Sequence, residues 1–246
     1  MQRVVIFGAT SAIAHATARL LVARGCSVFA VGRQVEKLSA VIADLEVRRG
    51  PDQIIAGASA DLDVIADHGR IFDAAQRALG GFDTVLIAHG TLPDQALCAS
   101  SIEAMLAAIH TNAISAVALA SEAARRLGHG GAIAAIGSVA GDRGRQSNYV
   151  YGASKGMLAL FLQGLRNELS PRGIHVLTIK PGFVDTPMTA AVTRKGALWA
   201  SPERIASGIV QALAARRDVV YLPWFWAPIM LAIRSIPERV FKRMSL

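Results

Sequence analysis

Two side chains that could exchange a proton with a carbonyl compound lie one helical turn apart in this sequence. Tyr151 and Lys155 fall in the stretch 148–169, whose apolar residues recur at helical spacing. A phenol has an ordinary pKa of about 10 and is a poor base at neutral pH, but an ammonium group on the same helix face favours the phenolate and lowers that pKa. The pair predicts general acid–base chemistry. The alternative is a helix with an incidental tyrosine and lysine.

The elements that would position this pair alternate along the chain between short apolar strands and helices. Alternation of this kind predicts an α/β fold: a single doubly wound Rossmann-type domain with a seven-stranded parallel sheet and helices on both faces. The predicted strands span residues 3–7, 27–31, 54–58, 83–88, 132–136, 174–179 and 219–222. We assign residues 1–222 to this domain and 223–246 to a C-terminal amphipathic tail. Residues 183–200 show no clean period, and we expect a mobile lid there.

Size and composition fit one such domain. The chain has 246 residues, of which 52% are hydrophobic and 18% are charged. The net charge of +8 comes from scattered basic residues without an aromatic-interleaved stripe, so we expect no nucleic-acid partner. Cys26 and Cys98 are isolated and no metal-ligand spacing occurs, which predicts no disulfide, no metal and a reducing, cytoplasmic compartment. The N-terminus enters a strand at once, so we expect no signal peptide.

The small-residue turn after the first strand could bind a pyrophosphate. Residues 8–14 read GATSAIA and lead into a helical pattern. Strand, small-residue turn and helix form the first half of a dinucleotide-binding unit, in which free N–H groups and the positive helix end attract phosphate. The alternative is an ordinary tight connection between a strand and a helix.

The end of the second predicted strand favours NADP(H) over NAD(H). An NAD site usually places an acid there to bind the ribose 2′-hydroxyl, whereas this chain has Gly32 and Arg33, with Lys37 one turn further on. A guanidinium fork suits a 2′-phosphate. The alternative is a solvated loop arginine.

Three further polar residues stand at suggestive places, each with a structural alternative. Asp61 follows the third strand and could bond an adenine amine or cap the next helix. His89 follows the fourth strand, on the ligand side of a parallel sheet, although a lone histidine is more often structural. Asn112 lies within a long helical pattern, 101–127, where asparagine is unfavourable unless it bonds a local kink or an ordered water.

Over about residues 1–222 these features together resemble the short-chain dehydrogenase/reductase family. The sequence Tyr151-Gly-Ala-Ser-Lys155, with Ser138 thirteen residues before the tyrosine, carries the resemblance. It implies that Tyr151 is the catalytic acid/base, and that Lys155 lowers the tyrosine pKa and holds the nicotinamide ribose. It also implies that Ser138 polarises the substrate carbonyl and that Asn112 holds a proton-relay water.

The same resemblance implies a set of cofactor-binding residues. These are Gly8, Thr10, Ser11, Ala12, Ile13, Arg33, Asp61, Leu62, His89, Gly90, Tyr151, Lys155, Pro181, Gly182, Val184 and Thr186. The chain departs from the family pattern at Phe7, where threonine is usual, and at Ala12 and Ala14, where glycines are usual. It also has Ala-His-Gly at 88–90 in place of Asn-Ala-Gly. Ala12 puts a methyl group where the backbone approaches phosphate, which bears on cofactor affinity.

The tail combines aromatic, apolar and basic residues. Ile229, Ile233, Ile236 and Val240 recur at helical spacing among basic residues, which suits a helix lying in a membrane interface. The alternative is a helix that covers the substrate cleft or a dimer partner. The tail is similar to that of decaprenylphosphoryl-2-keto-ribose reductases, a branch of the same family, which implies a lipid-linked keto-sugar substrate and contact with the inner face of the membrane.

The sequence thus predicts an NADPH-dependent oxidoreductase that reduces a ketone to a secondary alcohol. The rival substrate is a 3-ketoacyl thioester or another small ketone. A different class of function is a non-catalytic NADP(H)-binding sensor or scaffold, suggested by the altered glycines. The family resemblance also implies a homodimer or homotetramer.

Overall fold

The computed structural model describes residues 3–190 and 196–244, and it confirms the predicted parallel sheet. Seven parallel strands form the main sheet in the order β3-β2-β1-β4-β5-β6-β9, and β7 pairs with β8 in a separate ribbon. The strands are β1 (Arg3–Phe7), β2 (Ser27–Gly32), β3 (Ile55–Ser59), β4 (Thr84–Ile87), β5 (Ala132–Ile136), β6 (His175–Pro181), β7 (Phe183–Val184), β8 (Trp199–Ala200) and β9 (Val219–Leu222).

Helices cover both faces of the sheet because its central strands are apolar on both sides. The helices are α1 (Ala12–Val22), α2 (Val35–Glu46), α3 (His68–Leu79), α4 (Gln95–Ser100), α5 (Ile102–Ile109), α6 (Ser115–Arg126), α7 (Tyr149–Leu169), α8 (Pro202–Ala214), α9 (Trp226–Ser235) and α10 (Glu238–Phe241). Leu21 of α1 and Ile209 of α8 belong to the core on one face. Phe72 of α3, Leu119 of α6 and Leu162 of α7 belong to the core on the other.

The strand order reverses between β1 and β4, which lie side by side and lead to opposite halves of the sheet. At such a switch point the loops after the strands diverge and leave a crevice outside the carboxyl ends, where ligands bind in open α/β sheets. All the candidate site residues that follow β1, β4 and β5 lie at this edge.

The long helix predicted over 101–127 is divided by a π-helical turn, His110–Ile114, which contains Asn112. The amide of Asn112 donates to the Ala108 carbonyl at 3.0 Å, so the asparagine bonds the helix irregularity itself. The run Ile102–Arg126 is long and apolar enough to cross a membrane by length and composition. In this fold its inner face, including Ala116 and Leu119, lies in the core beside α7.

The region predicted as a lid contains β7, a short 3₁₀ turn at Pro187–Thr189 and β8. The middle of the predicted lid, residues 191–195, lies outside the described residues. Its mobility stays a prediction.

The tail forms two helices, not the single apolar stripe that the spacing predicted. Helix α9 ends before Ile236, whose extended backbone precedes Pro237, and α10 begins after that proline. A residue before proline is disfavoured in helical geometry, which explains the break. Trp226 and Met230 of α9 pack on Val139 of the sheet domain, so this part of the tail is built into the protein core.

Candidate active site

The start of α7 places Tyr151 and Lys155 together at the crevice. The Lys155 ammonium lies 5.9 Å from the centroid of the Tyr151 ring and donates to the carbonyl of Ile136, at the end of β5, at 3.1 Å. Lys155 is only 4% exposed. Burial lowers its pKa to about 8, because the charged form loses hydration that one carbonyl does not replace.

The expected lowering of the Tyr151 pKa by Lys155 does not describe this structure. Burial raises the pKa of the Tyr151 hydroxyl, and the effect that opposes it is a hydrogen bond from Ser138. Desolvation of the phenolate is the larger effect, and the Lys155 amine, 5.9 Å from the ring centroid and bonded to the Ile136 carbonyl, does not reverse it. The tyrosine is therefore held as a neutral proton donor in this state.

Ser138 follows β5 and opens a 3₁₀ turn, Val139–Asp142. Its hydroxyl oxygen accepts from the Ala140 amide at 3.1 Å while the same group bonds the Tyr151 hydroxyl. We call residues 138–143 the serine loop. Gly141 of this loop lies against the backbone of Lys155 and Gly156, so the loop sits directly on α7 and brings the two hydroxyls together.

Asn112 joins the site through the loop after β4. Its side-chain oxygen accepts from the Thr91 amide at 2.9 Å. Gly90 has a φ of +149°, and a Cβ built there would lie 2.6 Å from Asn112 Oδ1 and 3.3 Å from Lys155 Nζ. The side chains of Asn112 and Lys155 thus both lie against residue 90, and only glycine fits there.

The turn after β1 has the geometry of an anion site. Gly8, with φ +78°, and Ala9 both donate to the Val31 carbonyl at 2.9 Å, which fixes the turn against β2. Ser11 caps α1 by accepting from the Ala14 amide at 3.2 Å. The preceding amides, those of Ala12 and Ile13, belong to the first helical turn and have no intrahelical acceptor, so they could bind a phosphate.

The neighbouring strand ends supply the predicted adenosine-side residues. The side chain of Thr10 lies over Gly32, where a Cβ would meet its methyl group at 3.0 Å. Arg33 is exposed at the end of β2, and its carbonyl accepts from the Ser59 hydroxyl at 3.0 Å. The Asp61 carboxylate accepts from the Asp63 amide at 3.1 Å, so it closes a local turn and does not cap a helix. These residues fit a nucleotide with a 2′-phosphate on Arg33.

His89 belongs to a buried polar chain that sequence reasoning missed. The Ser115 hydroxyl donates to the Leu62 carbonyl at 2.6 Å, so its oxygen accepts from His89 Nε2–H at 3.0 Å. His68 donates to the same Leu62 carbonyl at 2.8 Å. Burial, Lys155 and His68 lower the pKa of His89 to about 3, so the ring is neutral. Its Nδ1 is then a buried acceptor with no hydrogen-bond partner among the described residues, and the His89 backbone lies against Gly8.

The loop after β6 carries the remaining predicted contacts. Pro181 ends β6 opposite Leu222, and the Gly182 amide donates to the Leu222 carbonyl at 3.0 Å. The Val184 carbonyl accepts from the Thr189 hydroxyl at 2.7 Å, and that hydroxyl oxygen accepts from the Thr186 amide at 3.2 Å. This loop is therefore shaped by its own hydrogen bonds.

The tail closes the site from the other side, which sequence reasoning left undecided. The Trp226 indole lies against Gly182, where a Cβ would come within 2.0 Å of the ring. Phe183 stacks on Trp199 with ring centroids 5.4 Å apart and meets the edge of Trp226 at 5.2 Å. The tail thus forms part of the wall beside the predicted nicotinamide loop.

Charged residues of the serine loop hold this wall, and sequence reasoning missed all of them. The Asp142 carboxylate accepts from Lys180 at 2.5 Å and from the Tyr221 hydroxyl at 2.6 Å. Arg143 donates to the carbonyls of Ile233 and Ile236 at 2.7 and 2.6 Å. The only sequence signal is an Asp-Arg pair soon after a strand end, which no periodicity marks.

Known proteins of one family are similar to this chain along most of its length. The family model described as short chain dehydrogenase matches residues 2–197. An uncharacterized oxidoreductase of Mycobacterium tuberculosis is 34% identical over 249 residues, covering 98% of this chain and 96% of the relative. The 3-oxoacyl-[acyl-carrier-protein] reductase of Bos taurus is 32% identical over 188 residues, covering 75% and 76%. A short chain dehydrogenase from Burkholderia cenocepacia J2315, crystallised in complex with NADP, superposes with a TM-score of 0.80 at 25% identity, covering 89% of this chain and 95% of that one.

Proposed function

Because this chain belongs to the short-chain dehydrogenase family, we propose that it is an NADPH-dependent reductase that converts a ketone into a secondary alcohol. The observation that carries the proposal is the meeting of the Tyr151 hydroxyl with the Ser138 hydroxyl on one side of the crevice and Lys155 on the same helix turn. A sensor that only binds nucleotide has no use for this proton-transfer set.

The proposed cofactor is NADP(H), which supplies hydride to the carbonyl carbon when bound. The fit is supported by the uncapped amides of the first turn of α1, by the exposed Arg33, and by the NADP complex of the Burkholderia relative. His89, whose backbone lies against Gly8, adds a neutral acceptor, Nδ1, that no group among the described residues occupies. We propose residues 1–222 as the catalytic domain and 223–246 as a tail that completes its wall.

Tyr151 gives its proton to the carbonyl oxygen as negative charge develops there. The raised pKa keeps the phenol protonated until that moment. Ser138 donates a hydrogen bond to the same oxygen, a contribution of several kcal/mol in comparable sites. Lys155, with its pKa lowered to about 8, is poised to restore the tyrosine proton and to bind a ribose hydroxyl. Asn112 fixes the loop that carries Gly90 beside this lysine.

Tyr151→Phe tests the proposal. We expect NADPH oxidation with a ketone panel to fall by about 10²–10⁴-fold, because the proton donor is lost. The NADPH dissociation constant should change less than about threefold, since Tyr151 is a minor part of the cofactor surface. Turnover equal to that of the wild type would end the mechanism.

For the substrate we propose a keto-sugar carried on a lipid, reached at the inner face of the cytoplasmic membrane. The supporting observation is that Trp224, Leu231 and Val240 of the tail are 73%, 66% and 53% exposed, although α9 is docked by its other face. Exposed aromatic and apolar residues beside basic ones suit a membrane interface.

The membrane contact is best tested by point variants, because deleting the tail would remove Trp226 and expose Val139, on which it packs. The double variant Trp224→Ser, Leu231→Ser should lose flotation with anionic liposomes while keeping its fold. Equal flotation of the variant and the wild type would refute the membrane role. In that case a 3-oxoacyl substrate, as in the name of the Bos taurus relative, becomes the leading candidate and is tested with acyl thioesters.

A homodimer or homotetramer is the proposed assembly. Ile102 and Leu106 of α5 and Leu160 of α7 are 74%, 55% and 71% exposed, which is costly for a lone subunit. Light scattering on the purified chain measures the subunit number directly.

A further inference from the structure

His89 stands where the family pattern has alanine, and its ring makes one hydrogen bond among the described residues. That bond runs from Nε2–H to the Ser115 hydroxyl at 3.0 Å, while Nδ1 stays without a partner in the described part of the chain. The ring is neutral, because burial lowers its pKa to about 3. An uncharged imidazole with a single bond, made to the protein, is suited to holding its own loop in place and not to exchanging protons.

The acceptor of that bond is itself held in place. Ser115 is fully buried, and its hydroxyl donates to the Leu62 carbonyl at 2.6 Å, which leaves its oxygen free to accept from His89. His68 donates to the same carbonyl at 2.8 Å. Buried polar networks whose bonds are made favour one arrangement, so the Ser115 hydroxyl is a fixed anchor for His89.

A second anchor holds the same loop two residues further on. The Thr91 amide donates to Asn112 Oδ1 at 2.9 Å. Asn112 lies in the π-helical turn and Ser115 begins α6, three residues later, so the two side chains are neighbours on one helix surface. The loop after β4 is therefore held on both sides of Gly90.

Gly90 is the part of this loop that meets Lys155. A Cβ at residue 90 would lie 3.3 Å from Lys155 Nζ, so the backbone there is one wall around the ammonium. The Ile136 carbonyl, 3.1 Å away, is its hydrogen-bond acceptor. The titratable groups near Lys155 are Tyr151, on its own helix, and His89, on this loop, and burial is what lowers the lysine pKa. Lys155 thus depends on the loop for its exclusion from water.

We propose that His89 is a positioning residue for Lys155. Its bond to Ser115 keeps Gly90 against the lysine ammonium. The ammonium then stays buried, one helical turn from Tyr151. Glycine has wide backbone freedom, so a loop without this anchor would let water reach the amine. The inference rests on the proposed function, in which Lys155 restores the tyrosine proton, and it adds a residue that acts on that lysine only through the loop.

The pKa of Lys155 in solution is the readout, because it reports whether water reaches the ammonium. The chain has five lysines, so the ε-carbon signal of Lys155 is identified in ¹³C NMR of the full chain by its absence from Lys155→Met. His89→Leu removes the donor, and Ser115→Ala removes the acceptor. We expect each variant to raise the pKa of Lys155 from about 8 to about 9 or higher, since hydration returns to the charged form.

His89→Gln is the conservative variant, because a glutamine Nε2 can donate to the same hydroxyl. The pKa of Lys155 should stay at its wild-type value in this variant. The double variant His89→Leu, Ser115→Ala should raise that pKa no further than either single variant, since all three break the same bond. If His89 only fills space, leucine should preserve the lysine pKa better than glutamine, and that ranking would overturn the proposal.

Thr84→Val is the matched control for the loss of a buried hydroxyl. Thr84 is 1% exposed, begins β4 and donates to the Asp83 carboxylate at 2.9 Å, at the strand end away from the loop. Its replacement should leave the pKa of Lys155 unchanged. An equal rise in Thr84→Val, or no rise in Ser115→Ala, would overturn the proposal. Should His89→Leu fail to fold, Ser115→Ala decides alone.

The two proposals fail separately. If the positioning role is wrong, ketones are still reduced and the pKa of Lys155 does not follow the Ser115 bond. If the reductase proposal is wrong, no ketone is reduced, whatever the NMR titrations give. If both hold, kcat with the ketone that the wild type reduces best should fall by about ten- to a hundredfold in Ser115→Ala and stay at the wild-type value in His89→Gln.

Discussion

The serine loop is held from two sides by different physical means. On the helix side, Gly141 packs backbone against backbone on Lys155 and Gly156, with no charged contact between them. On the tail side, Asp142 and Arg143 reach outward to strand ends and helix carbonyls. The first arrangement sets Ser138 against Tyr151, and the second attaches a separate structural element, the tail, to the same loop.

Under the proposed function, this difference would separate proton transfer, on the helix side, from substrate recognition, on the tail side. Backbone packing leaves little freedom, so the positions of the reacting hydroxyls are fixed by close contact. Side-chain anchors can change without moving that contact, so the tail side can vary with the substrate. Variants on the helix side should therefore alter kcat, and variants on the tail side should alter KM for the ketone and the stability of the tail.

The largest effect is expected from Lys155→Met on the helix side. Loss of the amine removes the group that we propose restores the Tyr151 proton, so kcat should fall by about 10²–10⁴-fold. Steady-state NADPH oxidation measures this, and Lys180→Met, which removes a lysine from the tail side, is the control. A larger loss of kcat in the control would reverse the proposed division.

The tail side is tested next with Trp226→Ala and Trp224→Ala, a pair two residues apart. Trp226 is 3% exposed and its loss should leave a cavity beside Val139, lowering the free energy of unfolding by about 3–5 kcal/mol. Trp224 is 73% exposed and its loss should change stability by less than about 0.5 kcal/mol. Urea denaturation compares them. Similar values would mean that α9 is not docked in solution.

The stability of the helix side should depend on alkaline pH through Lys155. The pKa of Lys155 is about 8 in the folded protein, and its ordinary value, expected in the unfolded chain, is 10.5. Between pH 8 and pH 10.5 the unfolded chain therefore binds more protons at this residue than the folded protein does. The free energy of unfolding should then rise with pH in this window, by at most about 1.4 kcal/mol per pH unit. Subtracting the curve of Lys155→Met isolates this contribution from Cys26 and the tyrosines. A flat difference curve would show that Lys155 is not buried as a cation.

The two sides also differ in what the sequence could predict. The helix side follows from spacing: Tyr151 and Lys155 one turn apart, and Ser138 after an apolar strand. The tail side depends on contacts between residues about 90 positions apart, such as Arg143 and Ile233, and no local pattern encodes them. The predicted direction of the Tyr151 pKa shift was wrong for a related reason. Burial of the hydroxyl raises this pKa, and that burial depends on the packed serine loop and not on the neighbouring lysine.

The smallest effect is expected from Arg143→Met, which tests most directly whether the tail side anchors the serine loop. The guanidinium is 13% exposed, caps the last carbonyls of α9 and lies 3.7 Å from the centroid of the Phe241 ring. Methionine keeps an apolar contact with that ring but leaves the carbonyls without a donor, so we expect a loss of about 2 kcal/mol in the free energy of unfolding. KM for the ketone should rise while kcat stays within about twofold, since Ser138 remains packed on α7. Arg239→Met, on the exposed side of α10, is the control for the loss of charge. If the two variants are equally stable, the apolar face of α9 alone holds the tail, and the serine loop is anchored from the helix side only.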